Sequence, residues 1–88
     1  MDTVLIKAKI KKRKQTEFFQ TMESIKELLK NKCSGFKMNT KNNKNVSIRI
    51  SFDDTNKLER NINGAEFNIL KGALTSLCTD VEIIQNEI

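Results

Sequence analysis

The chain has 88 residues, enough for one small domain spanning residues 1–88 but too few to bury a large core, so pairing with a second copy would add stability. It contains no His, Trp, Tyr or Pro. The missing histidine removes the commonest metal ligand and the usual general base near neutral pH. The formal charge is +5, with +8 in residues 1–44 and −3 in residues 45–88. Such asymmetry is typical of proteins that bind an anionic partner. It is also found where a basic surface only keeps the protein soluble.

Membrane and metal signals are weak throughout the sequence. No run approaches the roughly 20 apolar residues of a membrane span. The N-terminal charges follow the apolar residues, which is not the order of a signal peptide. We therefore expect a cytoplasmic protein with no membrane partner. Cys33 and Cys78 lie far apart and match no metal spacing, so we expect two reduced thiols and no metal site.

The first half of the chain predicts a strand, a helix and a second strand. "TVLIKAKIK" alternates as a half-buried strand, with an inward side of Val4, Ile6, Ala8 and Ile10. "KKRK" at 11–14 is expected to be a solvated turn, and anion attraction beside the following helix is the alternative. That helix has Thr16 as its expected N-cap and an apolar stripe of Phe18, Met22, Ile25 and Leu29. Gly35 marks its expected end, before a short strand at 36–40 and a turn at 41–44.

The second half predicts a strand, a broken helix and a last strand. "NVSIRISF" alternates, with an inward face of Val46, Ile48, Ile50 and Phe52. Asp53 or Asp54 is expected to cap a helix through Leu58 and Ile62. Asn63 and Glu66 resemble a capping box for a second helical segment, whose stripe is Phe67, Leu70, Leu74 and Leu77. "DVEIIQNEI" is the expected last strand, with Val81 and Ile83 facing inward.

The order strand, helix, strand, strand, helix, strand is that of a ferredoxin-like βαββαβ fold of the α+β class, an antiparallel sheet with helices on one face. The opposite face would be polar and basic, with Lys7, Lys9 and Arg49 prominent. It suits a solvated surface, a dimer interface or an anion-binding face. Nucleic acid is disfavoured, because the strand residues Phe36 and Phe52 fall on the helix side and cannot stack on bases.

Two stretches carry a family resemblance: "EFFQTMESIKELL…GF" and "ISFDDTNKLERNINGAEFNILKGALTSL". Their acidic turn, the "LER" helix, Phe67 and the "LKGAL" run resemble the antibiotic biosynthesis monooxygenase-like family of the dimeric α/β-barrel superfamily. The resemblance implies a homodimer joined through the helix-free sheet faces and a small pocket between the sheet and the helices. It also implies an oxidoreductase activity that needs no metal or flavin, on aromatic or quinol-like molecules, as one of the family's functions.

The sequence departs from the family at residues that matter for chemistry. Phe52 stands where the family often has tryptophan, and Asn61 where many members have histidine. Haem is disfavoured because the chain has neither His nor Tyr to ligate the iron, so no cofactor is expected. Residues expected to line the pocket are Ile48, Ile50, Phe52, Phe67 and Leu70, with Asn61 as the polar group that orients a ligand.

Nucleic-acid binding through the basic half is the least favoured function, and two functions are favoured over it. One is a cofactor-independent oxygenase, with Asn61 as the candidate catalytic residue and with Asp53, Asp54 and Arg60 able to approach the rim of its pocket. The other is a non-catalytic dimeric module that binds a small aromatic or anionic ligand, or only a partner, and has lost the family's catalytic residues. Whether the chain is an enzyme is left undecided by the sequence. Gly72, inside the last helix, suggests close approach by another element of this subunit or its partner.

Overall fold

The computed structural model describes residues 2–85, in which it has four strands and three helices. In chain order they are β1 (Asp2–Ile10), α1 (Gln15–Leu29), β2 (Gly35–Lys41), β3 (Asn45–Phe52), α2 (Thr55–Ile62), α3 (Ala65–Leu77) and β4 (Cys78–Gln85). Every predicted element is present, and the predicted helix break separates α2 from α3. The predicted extension of the last strand over 86–88 lies outside the described residues.

The four strands form one antiparallel sheet in the order β2-β3-β1-β4. The chain passes from β1 to its neighbour β3 through α1, β2 and the β2–β3 hairpin, and from β3 to the edge strand β4 through α2 and α3. This arrangement confirms the ferredoxin-like α+β fold predicted from the order of elements. The hairpin turn places Asn42 and Asn43 at φ of 57° and 55°, a left-handed conformation that asparagine tolerates better than most residues.

The core lies between the sheet and the helices. Alternate residues of β1 and β3 face each other across the ladder, with Ile6 opposite Ile48 and Val4 opposite Ile50. The predicted stripes of α1 and α3 cover these residues, and Phe18 and Phe67 have no exposed surface. Each buried side chain of this size contributes roughly 1.5–3 kcal/mol relative to exposure. The inward faces predicted for β1, β3, α1 and α3 are thus confirmed.

One of the three predicted helix caps is correct. Asp54 caps α2, and its side chain accepts a hydrogen bond from the Lys57 amide at 2.8 Å. Thr16 was the wrong residue for α1, which begins at Gln15 because the turn at 11–14 already brings Lys14 into the cap position, where it has no side-chain bond to the helix. The predicted capping box is also wrong, since Gly64 precedes α3 and the Asn63 amide instead donates back to the Glu59 carbonyl at 3.1 Å.

The last strand differs from its prediction in burial. β4 begins at Cys78 directly after α3, and Asp80 adopts a φ of 53° at an irregularity in the pairing with β1. Ile83 lies opposite Ile6 and therefore on the helix side, as predicted, but Val81 and Ile83 are each 37% exposed. The reason is position, because β4 is an edge strand and the helices cover its outer side incompletely.

The structure corrects the predicted role of Gly35 and excludes one of the two roles predicted for Gly72. α1 ends at Leu29, and Gly35 begins β2 instead of ending the helix. A Cβ atom added at Gly72 would meet nothing within 4 Å in the described chain. Close approach by another element of the same subunit, one of the two alternatives given for Gly72, is therefore wrong.

Candidate functional site

The apolar residues predicted to line a pocket lie in the closed part of the core. Ile48, Phe52, Phe67 and Leu70 each have 0% exposure and belong to one packed cluster beneath the helices. Phe67 also lies beneath the Lys71 ammonium, which is 5.4 Å from the centre of its ring. These side chains share one packed cluster, and a ligand reaching them would have to displace packed neighbours.

Asn61 lies apart from that cluster, at a cavity on the surface. The cavity has a volume of about 280 Å³ and opens between the connection after α1 and the helix α2. Its lining consists of Asn31, Lys32, Cys33, Ser34, Asp53, Lys57, Arg60 and Asn61. We call this space the Asn61 cavity. The lining is polar and charged, in contrast to the apolar core that contains Phe52 and Phe67.

The side-chain amide of Asn61 holds the two walls of this cavity together. Its nitrogen donates to the Lys57 carbonyl at 2.8 Å and to the Lys32 carbonyl at 3.2 Å. The first bond lies within α2 and the second crosses to the α1–β2 connection. Because a side-chain amide has two N–H donors, both are used, and the amide oxygen is the polar atom left to face a ligand.

Positive charge predominates at the rim of the Asn61 cavity. Asp53 accepts a hydrogen bond from Lys57 at 3.0 Å, and this bond together with the charge of Asp53 raises the pKa of Lys57. Lys32 lies 3.9 Å from a carboxylate oxygen of Glu66. Arg60 makes no ion pair within residues 2–85, so its guanidinium is available to an anion. A planar guanidinium is suited to binding a carboxylate through two parallel hydrogen bonds.

The thiol of Cys33 also lines the cavity but is not activated. Its sulfur donates to the Leu29 carbonyl at 3.3 Å. Burial raises the pKa of Cys33, and a backbone hydrogen bond involving Gly35 offsets this only in part. A raised pKa keeps the thiol protonated at neutral pH, and the thiol is a poor nucleophile compared with the thiolate.

The helix-free sheet face holds Lys7, Lys9 and Arg49, as the strand alternation predicted. Lys9 is 3.8 Å from an Asp80 carboxylate oxygen, and Lys7 lies opposite Glu82 in the pairing of β1 with β4. A further cavity of about 400 Å³ opens at one end of this face. Its lining includes both lysines.

The same face carries a buried apolar residue that the sequence did not single out. Leu5 is only 4% exposed although no helix covers this side of the sheet. Its neighbours in the ladders are Arg49 on β3 and Ile84 on β4. The long side chains beside Leu5 therefore shield it from water.

Within residues 2–85, no group of three or more Cys, Asp or Glu side chains could hold a metal ion. No helix in the range is long and apolar enough to cross a membrane.

Comparison with known proteins gives matches in structure and none in sequence. Neither a protein-family model nor a curated protein sequence matches the chain. The match to the structure of an antibiotic biosynthesis monooxygenase covers 100% of this chain and 98% of that protein, with a TM-score of 0.83 and 12% sequence identity. The match to SnoaB, a cofactor-independent oxygenase from Streptomyces nogalater, covers 99% of this chain and 91% of SnoaB, with a TM-score of 0.85 and 12% sequence identity. The match to a conserved protein from Methanosarcina mazei Go1 covers 96% of this chain and 88% of that protein, with a TM-score of 0.80 and 21% sequence identity.

These matches define the class of fold. The chain is an α+β protein of the ferredoxin-like kind. More narrowly, its fold is the one found in antibiotic biosynthesis monooxygenases, as the sequence resemblance implied. At identities of 12–21% the matches establish the fold, and the chemistry must be argued from the residues present in this chain.

Proposed function

We propose that this chain is a homodimeric small-molecule-binding protein that holds an aromatic anion in the Asn61 cavity. The main support is that Arg60 and Asn61 line the same cavity of about 280 Å³. Arg60 makes no ion pair in the described chain. This volume lies near the lower limit for small-molecule sites, roughly 300 Å³. It suits a ligand of one ring with a charged substituent.

The recognition follows from the two polar groups. Arg60 pairs with a carboxylate or phenolate of the ligand, and the amide oxygen of Asn61 accepts a hydrogen bond from a ligand hydroxyl. Lys32 and Lys57 add to the positive potential, and Asp53 is the only carboxylate in the lining. The buried residues Phe52, Phe67, Leu70 and Ile48 belong to the closed core, line no part of the cavity and do not contact the ligand.

Binding is tested by calorimetric titration with 2,5-dihydroxybenzoate, a hydroquinone that carries a carboxylate. We expect Arg60→Gln to weaken binding by about 10- to 150-fold, because a charge-assisted hydrogen bond contributes roughly 1.5–3 kcal/mol. Lys12→Gln removes the same charge in the turn before α1 and serves as the control, with unchanged affinity expected. Equal loss in both variants would mean that only net charge attracts the ligand.

A second candidate function is cofactor-independent oxidation of such a hydroquinone. The structural match to SnoaB, described as a cofactor-independent oxygenase, favours it. General acid–base chemistry requires a titratable group within hydrogen-bond reach of the substrate. Asp53 is the one carboxylate in the cavity lining, and Lys57 already occupies it at 3.0 Å. This observation is the reason binding is proposed ahead of catalysis.

Oxygen consumption separates the two functions. The purified protein with 2,5-dihydroxybenzoate and a panel of simple hydroquinones is followed with an oxygen electrode, after treatment with a chelator. Uptake above the buffer rate that Asp53→Asn abolishes would establish the oxygenase. Binding by calorimetry without uptake across the panel would support the binding module.

The proposed dimer joins two copies through their helix-free faces. The placement of Ile84 on this face supports it, since its partly exposed side chain supplies apolar surface among the lysines. The charges of Lys7 and Lys9 would need carboxylates, water or anions beside them between the copies, because an unpaired buried charge is expensive. Light scattering at micromolar concentration is expected to give twice the chain mass. A monomer would refute the dimer and leave the cavity proposal standing, because one chain supplies the whole lining.

A further inference from the structure

Positive charge is concentrated at the end of the sheet where β1 finishes. β2 also finishes there, and β3, α1 and β4 begin there. The cations at this end come from the last residues of β1, the turn that follows it and the β2–β3 hairpin. We define the basic pole as Lys7, Lys9, Lys11, Lys12, Arg13, Lys14, Lys41 and Lys44.

The fold brings these separated stretches together. The amide of Ile10 donates to the Lys44 carbonyl at 2.7 Å, which fixes the turn after β1 against the β2–β3 hairpin. Lys12 and Lys44 line a shared cavity of about 470 Å³. Lys9 and Lys41 line the neighbouring cavity of about 400 Å³ on the sheet face. The two cavities lie at the same end of the sheet, since Lys9 and Ile10 are consecutive in β1 and Lys44 directly precedes β3.

The charge of this surface is poorly balanced. The pole holds eight of the sixteen cationic residues, and its carboxylates are Glu17, Asp80 and Glu82. Its net charge of +5 therefore equals the formal charge of the entire chain. Two exposed pairs occur there, Lys14 with Glu17 at 3.4 Å and Lys9 with Asp80 at 3.8 Å, and exposed pairs of this kind are weak.

The most accessible cations of the pole are free to bind. Lys12, Arg13, Lys41 and Lys44 are exposed, and none makes an ion pair within residues 2–85. The pole thus presents four exposed cations without ion pairs in the described chain, and three of them line cavities at one end of the sheet. Such a cluster is the footprint expected for a chain of phosphates.

We infer that the basic pole binds the phosphate backbone of a nucleic acid without reading its bases. Base stacking on the helix-free sheet face is disfavoured, because Phe36 and Phe52 turn toward the helices. The pole is a different surface and needs no aromatic residue, since phosphate neutralisation alone supplies non-specific binding. A membrane fits less well, because neither connection, 11–14 or 41–44, provides an exposed large hydrophobic side chain to insert.

This surface does not depend on the function proposed for the Asn61 cavity. The cavity lies at the opposite end of the sheet, beyond the end of α1 and the start of β2. Lys7 and Lys9 lie on the face that the proposed dimer would cover. Lys12, Arg13 and Lys44 belong to the connections beyond the strand ends, so they stay accessible in either oligomeric state.

The test is fluorescence anisotropy of a labelled RNA strand and a DNA duplex of about 20 residues or base pairs, measured over a series of salt concentrations. We expect a Kd on the order of 10 μM near physiological salt and no dependence on base sequence. With four phosphates neutralised, the slope of log K against log salt should be about −3 for the single strand. Lys12→Glu combined with Lys44→Glu should weaken binding at least tenfold at low salt and bring the slope about one to two closer to zero.

The control reverses two exposed lysines at the far end of α1, Lys26→Glu combined with Lys30→Glu. Both double variants change the net charge by the same amount, so only the position of the charge differs. The control is expected to bind within about twofold of the unaltered protein. Lys12→Arg combined with Lys44→Arg should retain binding, and circular dichroism should show all variants folded.

Three outcomes would overturn the inference. Equal loss in the pole and control variants would mean that net charge alone attracts the nucleic acid. No complex at low salt with about 0.1 mM protein would exclude the interaction outright. Binding to vesicles containing phosphatidylserine, with no binding to either nucleic acid, would assign the pole to a membrane surface.

Discussion

Replacing Phe67 by alanine distinguishes a core residue from the wall of a ligand pocket. The Phe67 side chain has 0% exposure and packs in the same cluster as Leu70 and Phe52. Truncating a fully buried phenylalanine costs about 3–5 kcal/mol, since transfer free energy is lost and a cavity remains. Loss of the contact with the Lys71 ammonium, 5.4 Å from the ring centre, adds about 0.5 kcal/mol.

That loss is large for a chain of this length. A domain of 88 residues is typically stable by about 4–13 kcal/mol. We therefore expect Phe67→Ala to lower the melting temperature by at least about 12 °C. Urea unfolding monitored by circular dichroism gives the change in free energy directly.

Ile69→Ala is the matched control on the same helix. Ile69 is 51% exposed, so its truncation should change stability by less than about 0.5 kcal/mol. If Phe67→Ala cost no more than about 1 kcal/mol, the residue would border empty space. The assignment of Phe67 to the closed core, out of reach of a ligand, would then be wrong.

Three further substitutions test local features of the fold. Asp54→Ala removes the α2 cap and should lower the free energy of unfolding, measured in urea, by about 1 kcal/mol. Asp53→Ala leaves the cap intact and should change that free energy by close to nothing. Equal losses of stability in the two variants would contradict the assignment of the cap. Gly72→Ala should raise stability by about 0.5–1 kcal/mol, since the added Cβ meets nothing in the described chain, and a loss would reveal a neighbour from a second copy. Burial raises the pKa of Cys78 from 9.0 to about 11, so its stabilisation is complete below pH 9 and is lost as the pH rises toward 11. The unfolding midpoint of Cys78→Ala should fall less over that interval than that of the unaltered protein, and parallel profiles would refute this cause.

The periodic parts of the sequence predicted the fold well. Strict alternation in β1 and β3 left one choice of inward face, because a shift by one residue would expose every apolar side chain. The stripe of α1 was equally unambiguous. Element ends were harder to predict, since several polar residues near each helix start compete for the cap. The path of the preceding turn decided in favour of Lys14 at α1 and Gly64 at α3.

The candidate site was predictable only in part. Asn61 was singled out through the family resemblance, and the structure gives it a cavity. Its neighbours Cys33 and Ser34 are nearly thirty residues away in the chain, and no periodic pattern indicates that the α1–β2 connection packs beside α2. The basic pole was predictable only in part. The cationic turn at 11–14 was recognised, but the sequence does not show that a backbone hydrogen bond from Ile10 places this turn beside Lys44.

The location of the bound ligand tests the central claim most directly. Backbone amide shifts of the labelled protein, recorded by NMR during titration with 2,5-dihydroxybenzoate up to about 10 mM, report that location residue by residue, over a range that detects even weak binding. We predict the largest shifts at Cys33, Ser34, Arg60 and Asn61. Shifts centred on Phe67 in the core without those four, or no shifts at all, would contradict the proposed binding site.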